Sequence, residues 1–210
     1  RIRYRSNGDF SVPMVIRAPW GGGVHGALYH SQSVEAFYAH VPGLKVVVPS
    51  TPYDAKGLLI QALEDEDPVL YLEHKKTYRL IKGEVPDERY TIPIGKAEVR
   101  REGSDLTVVS YGLMHHFCVE AAERLSSDGI EVEVIDLRSI FPLDIDTVLE
   151  SVGKTAKAMV VYEDNKFLGV GAEVAAQIAE KAMFELDAPV VRVGGPHVPA
   201  MPYAPTLEHW

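Results

Sequence analysis

The feature that most restricts the fold of this chain is a regular alternation of short apolar segments with helix-forming segments. A β-branched run, Lys45–Pro49, is followed by a helical pattern over about residues 53–65 and by a second apolar run, Val69–Glu73. Thr51 is a good N-cap residue, and Pro52 suits the first helical turn, where its missing N–H costs nothing. Strand, capped helix and strand within about 30 residues predict a βαβ unit.

The alternation extends over both halves of the chain. Pro13–Arg17 predicts a further strand in the first half, and because these strands are apolar on both faces, we expect a sheet that is covered on both sides. The second half alternates four strands with three helices: strands Leu106–Tyr111, Glu131–Asp136, Ala158–Tyr162 and Val190–Val193, and helices at about 115–127, 144–152 and 171–186. This order predicts an α/β fold with mostly parallel sheets. Ligands in such folds bind at the carboxyl ends of strands, here the loops after Tyr111, Asp136 and Tyr162.

A stretch of poor periodicity separates the two halves. It contains Gly83, Pro86 and Pro93, and it predicts a linker over residues 77–103 between domains at 1–76 and 104–210. Residues 1–103 hold 14 basic and 13 acidic residues, a net charge of +1, whereas residues 104–210 hold 7 and 17, a net charge of −10. The second domain is therefore the acidic one.

Composition excludes several classes of protein. A net charge of −9 argues against nucleic acid as a partner. No apolar run approaches the roughly 18 residues that a membrane-spanning helix needs. The single cysteine, Cys118, rules out an intrachain disulfide and favours a reducing compartment. Because the sequence begins at Arg1 without an initiator Met, we expect it to be a piece of a longer protein.

His30 is the strongest candidate for chemistry. It lies directly before a short helical pattern that Ser33 could cap and whose first turn Glu35 suits. The positive end of that helix dipole would favour a neutral imidazole near pH 7, able to donate to an oxygen or to carry a proton. From spacing alone, a surface histidine is the alternative interpretation.

Three other segments have both a functional and an ordinary structural interpretation. Gly21–Gly23 allows close backbone approach or forms a flexible loop, and it matches no phosphate-binding fingerprint. His115, His116 and Cys118 suggest a metal, but their spacing fits no common zinc pattern, so a helix start with one exposed histidine and a partly buried cysteine is favoured. Glu163-Asp164 is an acid–base pair or a solvated loop.

Two further segments have open interpretations. Asp65 and Asp67 lie at the end of the capped helix, where acidic side chains oppose the helix dipole and so need another reason to be present. One interpretation is that they bind a hard cation through their oxygen atoms, and the other is a solvated acidic turn. Pro196–Pro205 is an apolar, turn-rich segment that contacts a partner or lies on the surface.

Several motifs together resemble one protein family. The motifs are Gly23–Ser33 (GVHGALYHSQS), Pro42–Val47 (PGLKVV), Pro49–Leu59 (PSTPYDAKGLL), Asp65–Leu70 (DEDPVL), Leu72–His74 (LEH), Pro93–Ala97 (PIGKA), Ile135–Arg138 (IDLR) and Pro142–Asp144 (PLD). They resemble the β subunit of the thiamine-diphosphate-dependent decarboxylating component of 2-oxo acid dehydrogenase complexes, over nearly the whole chain. Tyr29 and the ending Pro199–Thr206 look like the bacterial branched-chain (2-oxoisovalerate) subgroup, with pyruvate and acetoin dehydrogenase β subunits as alternatives.

The resemblance implies a fold, partners and a cofactor. The fold would be part of a pyrimidine-binding thiamine-enzyme domain followed by a transketolase C-terminal-like α/β domain. The family implies an α2β2 heterotetramer in which the α subunit holds the diphosphate through Mg²⁺, and the β subunit binds the aminopyrimidine through a carboxylate upstream of Arg1. Its substrates are a small 2-oxo acid and the lipoyl group of an acyltransferase core. A bacterial member would be cytoplasmic, and a eukaryotic one would lie in the mitochondrial matrix.

The resemblance also assigns residues. His30, in the His-Ser-Gln motif, matches the family's active-site histidine, which contacts the cofactor and supports acyl transfer to the lipoyl group. Some members bind a structural potassium ion, and the matching positions here are Val12, Met14, Val15, Ala62, Asp65 and Asp67. At the Asp67 position some relatives carry Asn.

Two rival hypotheses belong to other classes. Residues 104–210 would act mainly as an assembly module, with an acidic surface that docks to a basic domain of the acyltransferase core. Alternatively, the chain would be a different thiamine enzyme such as a transketolase, against which the His-Ser-Gln and PGLKVV motifs argue.

Overall fold

The computed structural model describes residues 1–199 and 204–208. Its strands are β1 (Val15–Trp20), β2 (Lys45–Val47), β3 (Val69–His74), β4 (Glu98–Arg101), β5 (Leu106–Ser110), β6 (Val132–Asp136), β7 (Ser139–Phe141), β8 (Ala158–Asn165) and β9 (Val191–Gly195). Its helices are α1 (Ile2–Arg5), α2 (Ala27–His30), α3 (Glu35–Ala39), α4 (Pro52–Leu63), α5 (Thr77–Leu80), α6 (Gly112–Ser126), α7 (Ile145–Thr155), α8 (Val170–Ala182) and α9 (Pro205–Glu208), with a 3₁₀ turn at Met183–Glu185. In the described ranges no helix has the length and apolar character needed to cross a bilayer.

The strands form two sheets, the first built mainly from the first half of the chain and the second mainly from the second half. The first has the order β1-β3-β2-β7 and the second the order β4-β6-β5-β8-β9. All neighbouring pairs are parallel except β2–β7 and β4–β6. The α/β class and the mostly parallel pairing expected from the sequence are therefore confirmed.

The βαβ unit in the first half forms as its local signals predict. The Thr51 hydroxyl accepts the backbone N–H of Asp54 at 3.1 Å, and Pro52 occupies the first turn of α4. Leu58 and Ala62 are buried against Val47 on the sheet, so α4 presents its apolar face to β2 and β3.

The sheet is not covered on both sides at β1, where the sequence-based prediction is wrong. β1 is an edge strand, and Ile16 is 43% exposed. The prediction holds for β3, whose first four residues are buried. Apolar composition alone does not separate an inner strand from an edge strand.

Two antiparallel strands connect the halves in ways that the alternation did not predict. β4 lies inside the predicted linker 77–103, so the last residues of that linker belong to the second sheet. β7 follows β6 in the chain but pairs with β2, so the second half supplies a strand to the first sheet. One hydrophobic cluster accordingly contains Val46 and Leu72 from the first half and Tyr111 and Ile135 from the second.

Buried charges also join the two halves. Arg138 donates to Glu98 at 2.7 Å and lies 3.3 Å from the carboxylate of Asp54, which is fully buried. Ser50 donates to Asp136 at 2.9 Å. Burial, together with the nearby charge of Asp54, raises the pKa of Asp136 to about 7.

Candidate active site

His30 lies on a loop that we call the histidine loop, residues Gly21–Ser33. It is the last residue of the single-turn helix α2, and it is exposed. Its main-chain carbonyl accepts a hydrogen bond from the ammonium of Lys75, which follows β3. The residue is exposed, and among residues 1–199 and 204–208 its imidazole has no hydrogen-bond partner.

The short helix predicted after His30 forms with Glu35 in its first turn, but the predicted cap at Ser33 is wrong. The next helix, α3, begins at Glu35 with Val34 as its N-cap residue and with no side-chain cap hydrogen bond. The Ser33 hydroxyl is instead 3.3 Å from Glu163, a carboxylate 130 residues away in sequence. The hydroxyl that was expected to cap α3 therefore donates to a tertiary partner and makes no cap hydrogen bond.

The two ends of the histidine loop meet at a narrow neck. The N–H of Gly21 donates to the carbonyl of Gln32 at 2.9 Å. Gly21 has φ +84°, and a Cβ atom there would lie 2.2 Å from Nε2 of His74. Glycine is therefore required both by the left-handed backbone and by the close approach to a buried ring. At Gly21, the close-approach interpretation of the glycine run is the one observed.

Glu163, at the carboxyl end of β8, contacts both ends of this neck. One carboxylate oxygen accepts the N–H of Gly22 at 2.5 Å, and the other lies 2.7 Å from Nε2 of His74, which is buried. Burial alone would raise the pKa of Glu163, but the hydrogen bonds from His74, Gly22 and Ser33 and the charge of His74 outweigh it, so the pKa lies below its ordinary value. Of the two interpretations of Glu163-Asp164, the solvated loop is wrong, since Asp164 is also buried.

Glu35 is a second buried carboxylate beside the loop, and sequence reasoning missed it. It is fully buried, and one oxygen accepts the hydroxyl of Tyr111 at 2.8 Å while the other has no partner among the described residues. Burial, with the negative charge of Asp164, raises the pKa of Glu35 to about 8. A glutamate in the first turn of a helix ordinarily suits the dipole at the surface, so the sequence held no sign of its burial.

Two of the loops after the predicted strands, those after β5 and β8, contact different parts of the first half. The loop after β8 lines a small cavity of about 170 Å³ with Ser31, Phe37 and Glu163. The loop after β5 packs on Ser50, whose hydroxyl accepts the N–H of Gly112 at 2.9 Å. A larger cavity, about 520 Å³, lies under α4 and is lined by both Ser50 and His74. The small cavity therefore adjoins Glu163 and the residue after His30, and the larger one adjoins the support of the loop through His74.

The histidine–cysteine segment is part of helix α6. His115 and Cys118 are buried and His116 is half-buried. The prediction of one exposed histidine is therefore wrong. Burial lowers the pKa of His115 to about 3 and raises that of the Cys118 thiol to about 11. His116 instead bonds to the carbonyl of Ser50 at 2.7 Å, a contact between the halves.

The carboxylates of the predicted potassium site already have cationic partners. The Lys45 ammonium lies 2.6 Å from Asp65 and 3.8 Å from Asp67. Two main-chain carbonyls of the set are also hydrogen-bonded, that of Met14 to Val69 and that of Ala62 to Asp65. As arranged, these donors do not fit a bound potassium ion, and potassium stays a prediction. In the turn-rich segment Pro196–Pro205, and in the ending Pro199–Thr206, residues 200–203 lie outside the described ranges.

Comparisons with known proteins agree with the fold and with the motifs. Residues 95–210 match the family model of the transketolase C-terminal domain, and residues 1–81 match that of the transketolase pyrimidine binding domain. The chain is 61% identical over 210 residues to the 2-oxoisovalerate dehydrogenase subunit beta of Bacillus subtilis (strain 168), and 51% identical over 210 residues to the pyruvate dehydrogenase E1 component subunit beta of the same organism. Each comparison covers 100% of this chain and 64% of the relative.

A solved structure is also similar. It is described as a split gene transketolase, an inactive beta4 tetramer, with a TM-score of 0.74 and 27% sequence identity over 90% of this chain and 59% of that one. The chain therefore belongs to the transketolase family, as a pyrimidine-binding domain followed by a transketolase C-terminal domain.

Proposed function

We propose that the chain is part of the β subunit of an α2β2 thiamine-diphosphate enzyme that oxidatively decarboxylates branched-chain 2-oxo acids and passes the acyl group to a lipoyl-bearing acyltransferase. The observation that carries the proposal is the exposed His30 on a loop braced by residues from both halves, in a chain 61% identical to a 2-oxoisovalerate dehydrogenase subunit beta. A pyruvate or acetoin substrate is the alternative, supported for pyruvate by the 51% identity to a pyruvate dehydrogenase subunit.

The residues present fit a cofactor shared between chains. An exposed imidazole without a partner among the described residues has its ring nitrogens available to a group held by another subunit. In this chain His30 is the residue that would contact thiamine diphosphate, and the Mg²⁺-bound diphosphate would be held by the α subunit. When bound, thiamine diphosphate supplies the electron sink for loss of CO2.

His30 has a defined part in the acyl transfer step. When the lipoyl disulfide opens, one sulfur takes the acyl group and the other leaves as a thiolate that needs a proton. A protonated imidazole can give that proton as the thiolate forms. His30 would therefore act as a general acid at the lipoyl sulfur.

Replacing His30 tests this role in the full-length subunit assembled with its α partner. We expect His30→Ala to lower the rate of lipoyl acylation by about 10²- to 10⁴-fold, the usual contribution of a positioned general acid. Cofactor affinity should change much less. Stopped-flow acylation of a lipoyl domain and cofactor titration measure the two effects, and an unchanged acylation rate would rule the role out.

Substrate choice needs its own assay. The assembled enzyme would be given 2-oxoisovalerate, pyruvate and acetoin in parallel, and kcat/KM compared. The proposal expects 2-oxoisovalerate to be preferred. A preference for pyruvate or acetoin would transfer the chain to the alternative.

A docking role for residues 104–210 is a second candidate, favoured by their net charge of −10. Opposite charge on the acyltransferase would speed association and make it salt-dependent. We expect binding of the assembled enzyme to the core to weaken as salt rises, and salt-independent binding would count against it. Because Glu163 and Tyr111 contact the first half beside His30, docking would not be the only role of this half.

The bacterial relatives favour a cytoplasmic location.

A further inference from the structure

The histidine loop is held at both ends by one side chain from the other half of the chain. Glu163 lies at the end of β8, yet the same carboxylate oxygen accepts the N–H of Gly22, at 2.5 Å, and the hydroxyl of Ser33, at 3.3 Å. These residues follow Gly21 and Gln32, which close the neck of the loop through their own hydrogen bond of 2.9 Å. Glu163 therefore spans the neck from outside.

The second oxygen of Glu163 faces the support of the loop. It lies 2.7 Å from Nε2 of His74, whose ring packs against Gly21 and lies edge-on to Trp20 at a centroid distance of 5.3 Å. Lys75, the next residue, donates to the carbonyl of His30. Residues at the end of β3 thus support the loop on one side and Glu163 fixes its neck on the other.

This arrangement leaves His30 exposed on a short, closed loop whose neck is fixed by Glu163 and supported by His74. The loop is of the compact kind whose ends lie close together. Because Glu163 bonds to both ends of this loop, a change at Glu163 is expected to move the side chains that the loop carries. Displacements of about 1 Å at a reacting group can lower a rate by about 10²-fold.

We propose that Glu163 is a positioning residue for His30: it fixes the neck of the histidine loop and so holds the imidazole in the orientation that acyl transfer requires. The inference rests on the proposed function, since it needs His30 to act in that step. Glu163 does not touch substrate in this proposal, and its whole effect passes through His30.

The substitution Glu163→Gln tests the proposal. The amide keeps the shape and one acceptor oxygen, but it removes the charge and places either N or O opposite His74. In the full-length subunit assembled with its α partner, we expect kcat for acylation of a lipoyl domain to fall about 10- to 100-fold, with KM for the 2-oxo acid within about twofold of the parent value.

Glu133 provides a matched control. It is also a buried carboxylate of the second sheet, 1% exposed, and it accepts a backbone N–H, that of Gly103 at 3.2 Å, and a cationic side chain, Lys154. Its contacts lie away from the histidine loop. Glu133→Gln should leave kcat within about twofold, so equal losses in the two variants would overturn the proposal.

A double-substitution cycle separates positioning from a general loss of structure. Because Glu163 acts through His30, adding Glu163→Gln to His30→Ala should lower the remaining acylation rate no further. Losses that multiply would show that Glu163 acts independently of His30 and would overturn the inference. If His30→Ala itself leaves acylation unchanged, the failure lies in the proposed function, and the two failures are distinguished.

Ser33→Ala keeps the proposal testable if Glu163→Gln does not assemble. It removes the longest of the three contacts and leaves the charge of Glu163 in place. We expect a loss in kcat of about 2- to 5-fold, within the effect of one hydrogen bond, and again no further loss in the His30→Ala background. A parent-like rate for Ser33→Ala together with an unassembled Glu163→Gln would count against positioning.

Discussion

Replacing Glu35 with glutamine should change how stability depends on pH. Glu35 is fully buried, bonds to the Tyr111 hydroxyl, and has a pKa raised from 4.5 to about 8 by burial and by the charge of Asp164. Near neutral pH its carboxyl is therefore protonated in the folded chain and ionised in the unfolded one. Glutamine has nearly the same shape and no charge, so it reproduces the protonated form at every pH.

The sign follows from proton linkage. Between pH 4.5 and 8 the folded chain holds a proton on Glu35 that the unfolded chain has lost, so the contribution of Glu35 is fully present below pH 4.5 and is lost as pH rises through 8. The slope is about 1.4 kcal/mol per pH unit in this window. Integrated from pH 5 to pH 9, Glu35 should cost the parent about 4 kcal/mol relative to Glu35→Gln.

The measurement is the free energy of unfolding in denaturant for both proteins, as the assembled full-length subunit at one fixed concentration, at several pH values. Asp136, whose pKa is also raised, changes both proteins alike and drops out of the difference. A carboxylic acid band in the infrared difference spectrum between the parent and Glu35→Gln at pH 6 checks the protonation directly, because the contribution of Asp136 is common to both proteins and cancels. A difference in unfolding free energy that stays constant from pH 5 to pH 9 would refute the reasoning.

Two further substitutions test the packing around the site. Gly21→Ala should lower thermal stability and lipoyl acylation together, because the added methyl group would lie 2.2 Å from the buried His74 ring. The control is Gly129→Ala, which has a similar φ of +78° and no atom within 4 Å, so it should show only the backbone cost of about 1 to 2 kcal/mol. Equal losses in the two variants would contradict the close-contact argument. Arg138→Ala should lower the free energy of unfolding by about 1 to 3 kcal/mol, because it removes one of the two arginines that face the buried Asp54 and leaves Arg100 in place. Arg89→Ala, at an exposed ion pair, should change it little, and an equally small effect at Arg138 in denaturant unfolding would argue against a shared buried network.

The elements that could be predicted from sequence are those whose signals are local. Helix α4 follows from Thr51, Pro52 and the apolar spacing behind them, and the structure confirms the Thr51 cap and the place of Pro52 in the first turn. The parallel strands follow from apolar runs between helices. Strands β4 and β7 could not be predicted in the same way, because each is defined by an antiparallel partner far along the chain rather than by its own composition.

The candidate residue, His30, could be predicted from the sequence, but the contacts around it could not. His30 stood out through its motif, but its expected helix start depended on Ser33, and that hydroxyl is bound instead by Glu163. Glu163 was visible as a carboxylate at the end of a strand, although nothing local indicated that it would reach across to Gly22. The burial of Glu35 depends on Tyr111, which is 76 residues away.

Strand β7 has a consequence for any attempt to build hybrids from this family. β7 follows β5 and β6 in the chain, yet it pairs with β2 and forms one edge of the first sheet. A chimera joined near residue 90 would receive that strand from a foreign donor, whose backbone would have to match the irregular register between Val46 and Val47. A mismatched donor would leave β2 with unpaired N–H and C=O groups, an open template for association between molecules.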